Sequence, residues 1–276
     1  PASSPGGKAQ RVEISENGMC HRHDRCKGGV GTTTTALNVA TALAMQGKVV
    51  ILAEIHPSFG TLVFHLPQQP AKNLRTLLKL PAGRIGLHEL NAVLCKGPAG
   101  TRILFGPQEL EDDFQEIDPI QAEAIIKGLE QLAEFIILDL PSPPSAATRA
   151  VANLCQFACV VTEREPGSVR AGQRVVKQLN AWGSRGNLAG SVILVGTVVV
   201  NRTIYANYLM PTAEVQSQMG CEIIGHIPWG AAENLQALTE GVPLVLLQAD
   251  SDAALSYVQL ANRLSNTDQR KLIPRG

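Results

Sequence analysis

The 276-residue chain is 45% hydrophobic and 17% charged, and its 24 basic residues balance 24 acidic ones. That apolar share excludes a disordered chain and suffices for the core of one large α/β domain, while zero net charge argues against nucleic acid as the main partner. No apolar run approaches the roughly 20 residues of a membrane span, no leading segment resembles a signal peptide, and six scattered cysteines lack a disulfide-framework spacing, so a cytoplasmic protein with free thiols is expected.

Residues 1–10 (PASSPGGKAQ) are small, polar and turn-forming, and read as a flexible lead-in. A single globular domain is expected over 11–265, followed by a polar tail at 266–276 with no amphipathic face for a membrane surface. Thr33–Gln46 has helical periodicity, with Leu37, Ala40, Leu43 and Ala44 on one face, and Gly47 stops it. Lys48–Ala53 (KVVILA) is a short apolar run of the buried-strand type. Helices over 73–80 and 85–94 lead to a strand at 101–105 and a helix at 119–133. FIILDL at 135–140 is a second buried strand, with Asp139 near its end. Beyond it come a helix at 148–154, a strand at 157–162, a helix at 167–182 and a strand at 191–201. A helix at 213–219, a strand at 221–227 and helices at 232–239 and 253–264 complete the chain. This alternation predicts an α/β fold: a doubly wound, mostly parallel sheet with helices on both faces.

Chemistry concentrates in the segment Lys27-Gly28-Gly29-Val30-Gly31-Thr32-Thr33-Thr34-Thr35. A glycine-rich turn entering a helix presents successive backbone N–H groups and the positive end of the helix dipole, which together hold phosphate oxygens. A hydroxyl in the first helical turn supplies a Mg²⁺ ligand, for which Thr33 is the candidate.

This run resembles the deviant P-loop, KGGxGK[ST]T, of the ParA/MinD family of P-loop NTPases. Four further segments match in order. Glu54-Ile55-His56-Pro57 resembles the D-x-D-P element, and Asp139 resembles the Walker B aspartate. Asn201-Arg202 resembles the base-contacting pair, and Gly225-His226-Ile227-Pro228 the element that lies against the base. The resemblance implies ATP or ADP held by Gly28, Gly29, Val30, Gly31, Thr32, Thr33, Thr34, Asn201, Arg202 and Pro228. It further implies a Mg²⁺ shell built from Thr33, Asp139 and Glu54. Lys27 would reach the partner's nucleotide in a sandwich homodimer. Within the family, Phe59-Gly60-Thr61-Leu62 and the LDLP at 138–141 are most similar to the CpaE/TadZ group, which localises and assembles Flp-type pilus machinery. That likeness implies pilus or secretion proteins as partners and recruitment to the inner membrane face or a cell pole.

Three departures matter. Thr32 stands where the P-loop lysine belongs, and a hydroxyl carries no charge to neutralise phosphates. His56 stands at the second acidic position, where it is either a replacement base working near pH 7 or a lost catalytic residue. Ahead of the loop, Cys20-His21-Arg22-His23-Asp24-Arg25-Cys26 is too polar for a central strand. Either the strand shifts to Arg11–Ser15, or it is distorted, or one of its faces is solvated. The cysteines and histidines of that segment are zinc-ligand types, but without the usual paired spacing. Two functions of different kinds follow. One is a nucleotide-binding assembly factor with weak or absent hydrolysis. The other is a working ParA-type ATPase that positions DNA or a protein complex.

Overall fold

The computed structural model describes residues 10–15, 29–57, 59–108, 116–141, 145–186, 193–201 and 209–266. Its strands are β1 (Gln10–Ser15), β2 (Val50–Glu54), β3 (Cys95–Lys96), β4 (Arg102–Leu104), β5 (Phe135–Leu140), β6 (Phe157–Glu163), β7 (Leu194–Val200) and β8 (Glu222–Ile227). They form one sheet in the order β3-β4-β2-β5-β1-β6-β7-β8, parallel throughout except for the antiparallel β3–β4 pair at one edge. Of the three arrangements open for the first strand, the structure takes the shift: Gln10–Ser15 pairs with β5 along its whole length and with β6 from Val12. The Cys20–Cys26 segment, with its proposed metal ligands, lies outside the described residues.

Continuous apolar runs become strands because both sheet faces are covered. Successive side chains alternate: Phe135 and Ile137 of β5 enter one core, while Ile136, Leu138 and Leu140 enter the opposite one. β2 does the same, with Val50 and Leu52 against Ile51 and Ala53. On the first face lie α1 (Thr32–Met45), α9 (Leu244–Leu247) and α10 (Asp252–Ser265), with α8 (Ala231–Glu240) contributing Ala237. On the second lie α2 (Leu74–Leu78), α3 (Leu87–Val93), α4 (Pro119–Leu129) and α5 (Ala146–Ala152). A third cluster packs α6 (Pro166–Gly186) and α7 (Thr212–Met219) over β6 and β7.

Local chemistry explains most boundaries. Ser145 caps α5 by accepting the Thr148 N–H at 3.2 Å, so this helix begins two residues before its expected start at Thr148. α4 ends at Leu129 rather than Ala133, because Glu134 and Phe135 already donate their N–H groups to the Val49 carbonyl and enter the sheet. Gly220 and Gly241 close α7 and α8 in the left-handed conformation, at φ +69° and +65°. Two elements had no sequence expectation, β3 and α9, both too short to carry a period.

α1 is buried nearly all round, which only a helix of small side chains tolerates at the centre of a fold. Asn38 ties it down. Its Nδ2 donates to the Thr34 carbonyl at 2.8 Å, and its Oδ1 accepts the Val245 N–H at the start of α9 at 3.1 Å. Replacing Asn38 with Leu leaves that buried N–H without a partner. Urea denaturation of N38L should show a loss of roughly 1–3 kcal/mol, and an unchanged midpoint would contradict this role.

Candidate nucleotide site

The C-terminal ends of the parallel strands gather every described candidate residue on one edge of the sheet, where open α/β folds bind ligands. Glu54 ends β2 and stands in register with Asp139 of β5, while Asn201 follows β7 and Pro228 follows β8. Above them the chain turns into α1 through Gly29 and Gly31, at φ +88° and +96°. Side chains larger than hydrogen rarely adopt this backbone, hence the glycines. Among the described residues no side chain caps the N-terminus of α1, and its first turn carries no acidic residue. Its leading N–H groups therefore face outward as an anion-binding end.

Thr33 and Asp139 meet directly. The Thr33 hydroxyl donates to Asp139 Oδ2 at 2.7 Å and lies 3.0 Å from Thr61 Oγ1. Asp139 is almost wholly buried, and Glu54 wholly so. Glu54 Oε1 accepts the backbone N–H groups of Thr61 and Leu62, the latter at 3.2 Å, and Oε2 accepts that of Gly106 at 2.9 Å. Such amide bonds replace the hydration that a buried carboxylate loses. Gly60 and Gly106 close around this carboxylate: a Cβ on Gly60 would collide with Glu54 and come within 2.9 Å of Gly106 Cα.

His56 lies beside these two carboxylates. A ring nitrogen of His56 and carboxylate oxygens of Glu54 and Asp139 lie within 4.8 Å of one another. Burial pushes the imidazole below its ordinary pKa of 6.5, against a smaller upward pull from Glu54, so the neutral ring is the folded form. Thr32 is buried rather than presented to the cavity, and its hydroxyl has no partner among the described residues. Thr34 does line the cavity.

That cavity has a volume of about 360 Å³ and runs from Gly29, Gly31 and Thr34 to Asn201, Pro228 and Trp229, within the size range of small-molecule sites. Asn201 donates its backbone N–H to the Ile227 carbonyl at 2.9 Å, which joins the β7 and β8 ends. Its side-chain Oδ1 is buried with no partner among the described residues. At the inner wall Tyr257 is wholly buried, and that burial pushes its phenol up to about 12. Lys27, Gly28 and Arg202 lie outside the described residues.

Several contributors escaped sequence reasoning. Thr61 bridges Thr33 and Glu54, although its segment stands in the sequence only as a likeness to one group within the family. His65 bridges two elements: its Nδ1–H donates to the Thr61 carbonyl at 3.1 Å, which leaves Nε2 to accept from the Thr34 hydroxyl at 3.2 Å. Nothing in the spacing of His65 marks it. Gly106 follows a predicted strand and could be found only from the contact it makes.

No family model matches the sequence. Over 240 residues the chain is 25% identical to an uncharacterized ATP-binding protein of Methanocaldococcus jannaschii, spanning 86% of this chain and 84% of that protein. Over 246 residues it is 26% identical to the septum site-determining protein MinD of Synechocystis, spanning 88% and 87%. MinD of Pyrococcus horikoshii, solved as a complex with Mg-ADP, shares the fold at a TM-score of 0.75 and 22% identity, with 94% and 96% of the two chains covered. Along most of its length the chain is thus similar to an ATP-binding protein and to MinD. Its sheet and helices have the ParA/MinD-like P-loop NTPase fold.

In a fold of this type, the hydroxyl of Thr33 and the carboxylate of Asp139 offer hard oxygen donors suited to Mg²⁺. Bound there, the ion would neutralise phosphate charge. The residues supply the rest: α1 amides to hold phosphate oxygens, and Glu54 to fix the loops after β2 and β4.

Two measurements check this geometry. G60A should cost about 1–3 kcal/mol in denaturant titrations through overpacking, where a neutral effect would mean the glycine contact is dispensable. For His56 the folded pKa is depressed, so its stabilisation is complete above the unfolded value of 6.5 and is lost as pH falls toward the folded one. The denaturation midpoint should therefore drop between pH 7 and pH 5, and less steeply in H56Q. Equal slopes would show that His56 is not buried in its neutral form.

Proposed function

We propose that this protein is a nucleotide-dependent scaffold, binding ATP or ADP with Mg²⁺ and hydrolysing slowly or not at all. The observation that carries this reading is an uncapped, glycine-led α1 opening on a cavity, with Thr33 and Asp139 joined beneath it, while Thr32 and His56 occupy the lysine and acid positions. Backbone amides and hydroxyls suffice to bind phosphates. Transition-state charge is another matter, because removing even one such stabilising group costs on the order of 10²–10³ in rate. Asn201 Oδ1 supplies an acceptor suited to the exocyclic amine of a purine.

As a scaffold, the protein pairs with a second copy when nucleotide is bound, through Lys27 and its neighbours. It recruits components of Flp-type pilus or secretion machinery to the inner membrane face or a cell pole. The 59–62 and 138–141 segments support the CpaE/TadZ likeness, as does the absence of a charged residue at Thr32. No described helix is long and apolar enough to cross a membrane. The second reading, an active ParA-type ATPase that positions DNA or a protein complex, is favoured by the intact Thr33–Asp139 pair.

Calorimetric titration of ATP and ADP with Mg²⁺, with phosphate release followed on the same sample, separates the two. Micromolar binding, lost in T33A, with release no faster than in T33A supports the scaffold. Turnover well above T33A moves the protein to the ATPase class, and absence of binding overturns both. For the assembly role, sedimentation with ATP should show a dimer that K27A abolishes. A monomer in every nucleotide condition would contradict nucleotide-dependent pairing.

A further inference from the structure

Phosphates bind more tightly where a cation stands beside the backbone amides that receive them. The cavity at the start of α1 has no permanent one. Among its described lining residues there is no lysine, arginine, aspartate or glutamate, and the titratable side chains are His65 and Tyr257. Tyr257, its phenol pushed up to about 12, is neutral near pH 7. His65 is half-buried and shares the cavity wall with Gly31 and Thr34. Leu37 of α1, Leu238 of α8 and Val242 line the same cavity without charge. The carboxylates of Glu54 and Asp139 are already bonded to Thr61 and Thr33.

The hydrogen bonds of His65 fix what a proton does there. A carbonyl only accepts, so the Thr61 oxygen, 3.1 Å from Nδ1, requires a hydrogen on that nitrogen. In the neutral ring Nε2 is then an acceptor, and the Thr34 hydroxyl at 3.2 Å directs its hydrogen to it. In the imidazolium both nitrogens donate. The Thr34 bond then reverses: Nε2–H donates to Oγ1, and the Thr34 hydrogen is released toward the cavity. One proton from solvent thus adds a positive charge to the wall and turns a hydroxyl donor toward a bound anion. We infer that His65, acting with Thr34, is a proton-gated phosphate-binding residue of this site, supplying when protonated the charge that Thr32 lacks. Nucleotide then binds with uptake of a proton. The inference rests on the nucleotide-binding reading and adds its regulation: occupancy rises as pH falls, because imidazole is the side chain that changes charge near neutral pH.

The test titrates the full chain with Mg-ADP by calorimetry at about pH 6 and about pH 8. Titrations near pH 7 in two buffers of different ionisation enthalpy count the protons taken up. Beyond any change seen in H65Q, the unaltered protein should bind about tenfold more tightly at the lower pH. It should also take up a fraction of a proton that H65Q, polar but without the charge, does not. The comparison with H65Q removes protons that belong to the nucleotide or to His56. H65K places a permanent charge at the wall and should bind about tenfold more tightly than H65Q at the higher pH. Equal proton uptake in the unaltered protein and H65Q overturns the inference, as does H65K binding no more tightly than H65Q. If Mg-ADP binds at neither pH, the nucleotide reading fails, and pyrophosphate titrated in the same way decides the inference by itself. Uptake that depends on His65 sustains it, and no such uptake overturns it.

Discussion

The carboxylate of Glu54 organises the functional edge of this protein. Its charge is sealed from water, and three backbone amides from two different loops converge on it. Because an ionised group in that position cannot remain unsatisfied, the loops after β2 and β4 must close over it. Closure brings Thr61 to Thr33 and His65 to Thr34, so the start of α1 is fixed from the side as well as from below. The glycines at 60 and 106 are the geometric condition for this closure, since each leaves the space that the carboxylate fills. The extra methylene of a glutamate, relative to the aspartate of the family pattern, lets the side chain reach these amides.

Replacing a P-loop lysine by threonine changes the electrostatics more than the shape. The glycine turn, the outward amides and the metal-side hydroxyl are all retained, which preserves the means of holding phosphate. What disappears is a mobile positive charge able to follow phosphate from ground state to transition state. The imidazole beside Glu54 does not replace it, because burial favours its neutral form. Among the described residues the site thus offers amides, hydroxyls and carboxylates, and the position of the loop's usual charge holds a neutral side chain.

The fold was largely legible because each central strand is a continuous apolar run bounded by turn residues, and β5 spans the residues its sequence suggests. The Gly-led turn, Thr33 and Asp139 were legible for a related reason: their chemistry depends on residue type at short spacing. The first strand was not decided by its sequence. Its apolar residues, Val12 and Ile14, alternate with polar ones, and thirteen residues, 16–28, separate Ser15 from Gly29 in place of a direct connection. Thr61, His65 and Gly106 were hidden because their roles exist only through contacts across 28 to 52 positions of chain. Asn38 was hidden inside a helix whose periodicity suggested packing alone, while its amide reaches 207 residues along the chain to α9.

One peripheral feature bears on how such a protein behaves at high local concentration. The sheet ends on the β3 side in a strand of two residues, Cys95–Lys96, running against its neighbour and followed at once by a tight turn through Pro98 and Gly100. A border this short, with an exposed lysine and a proline beside it, gives an incoming chain almost no ladder to extend. Molecules crowded together would thus be kept from zipping edge to edge along this border.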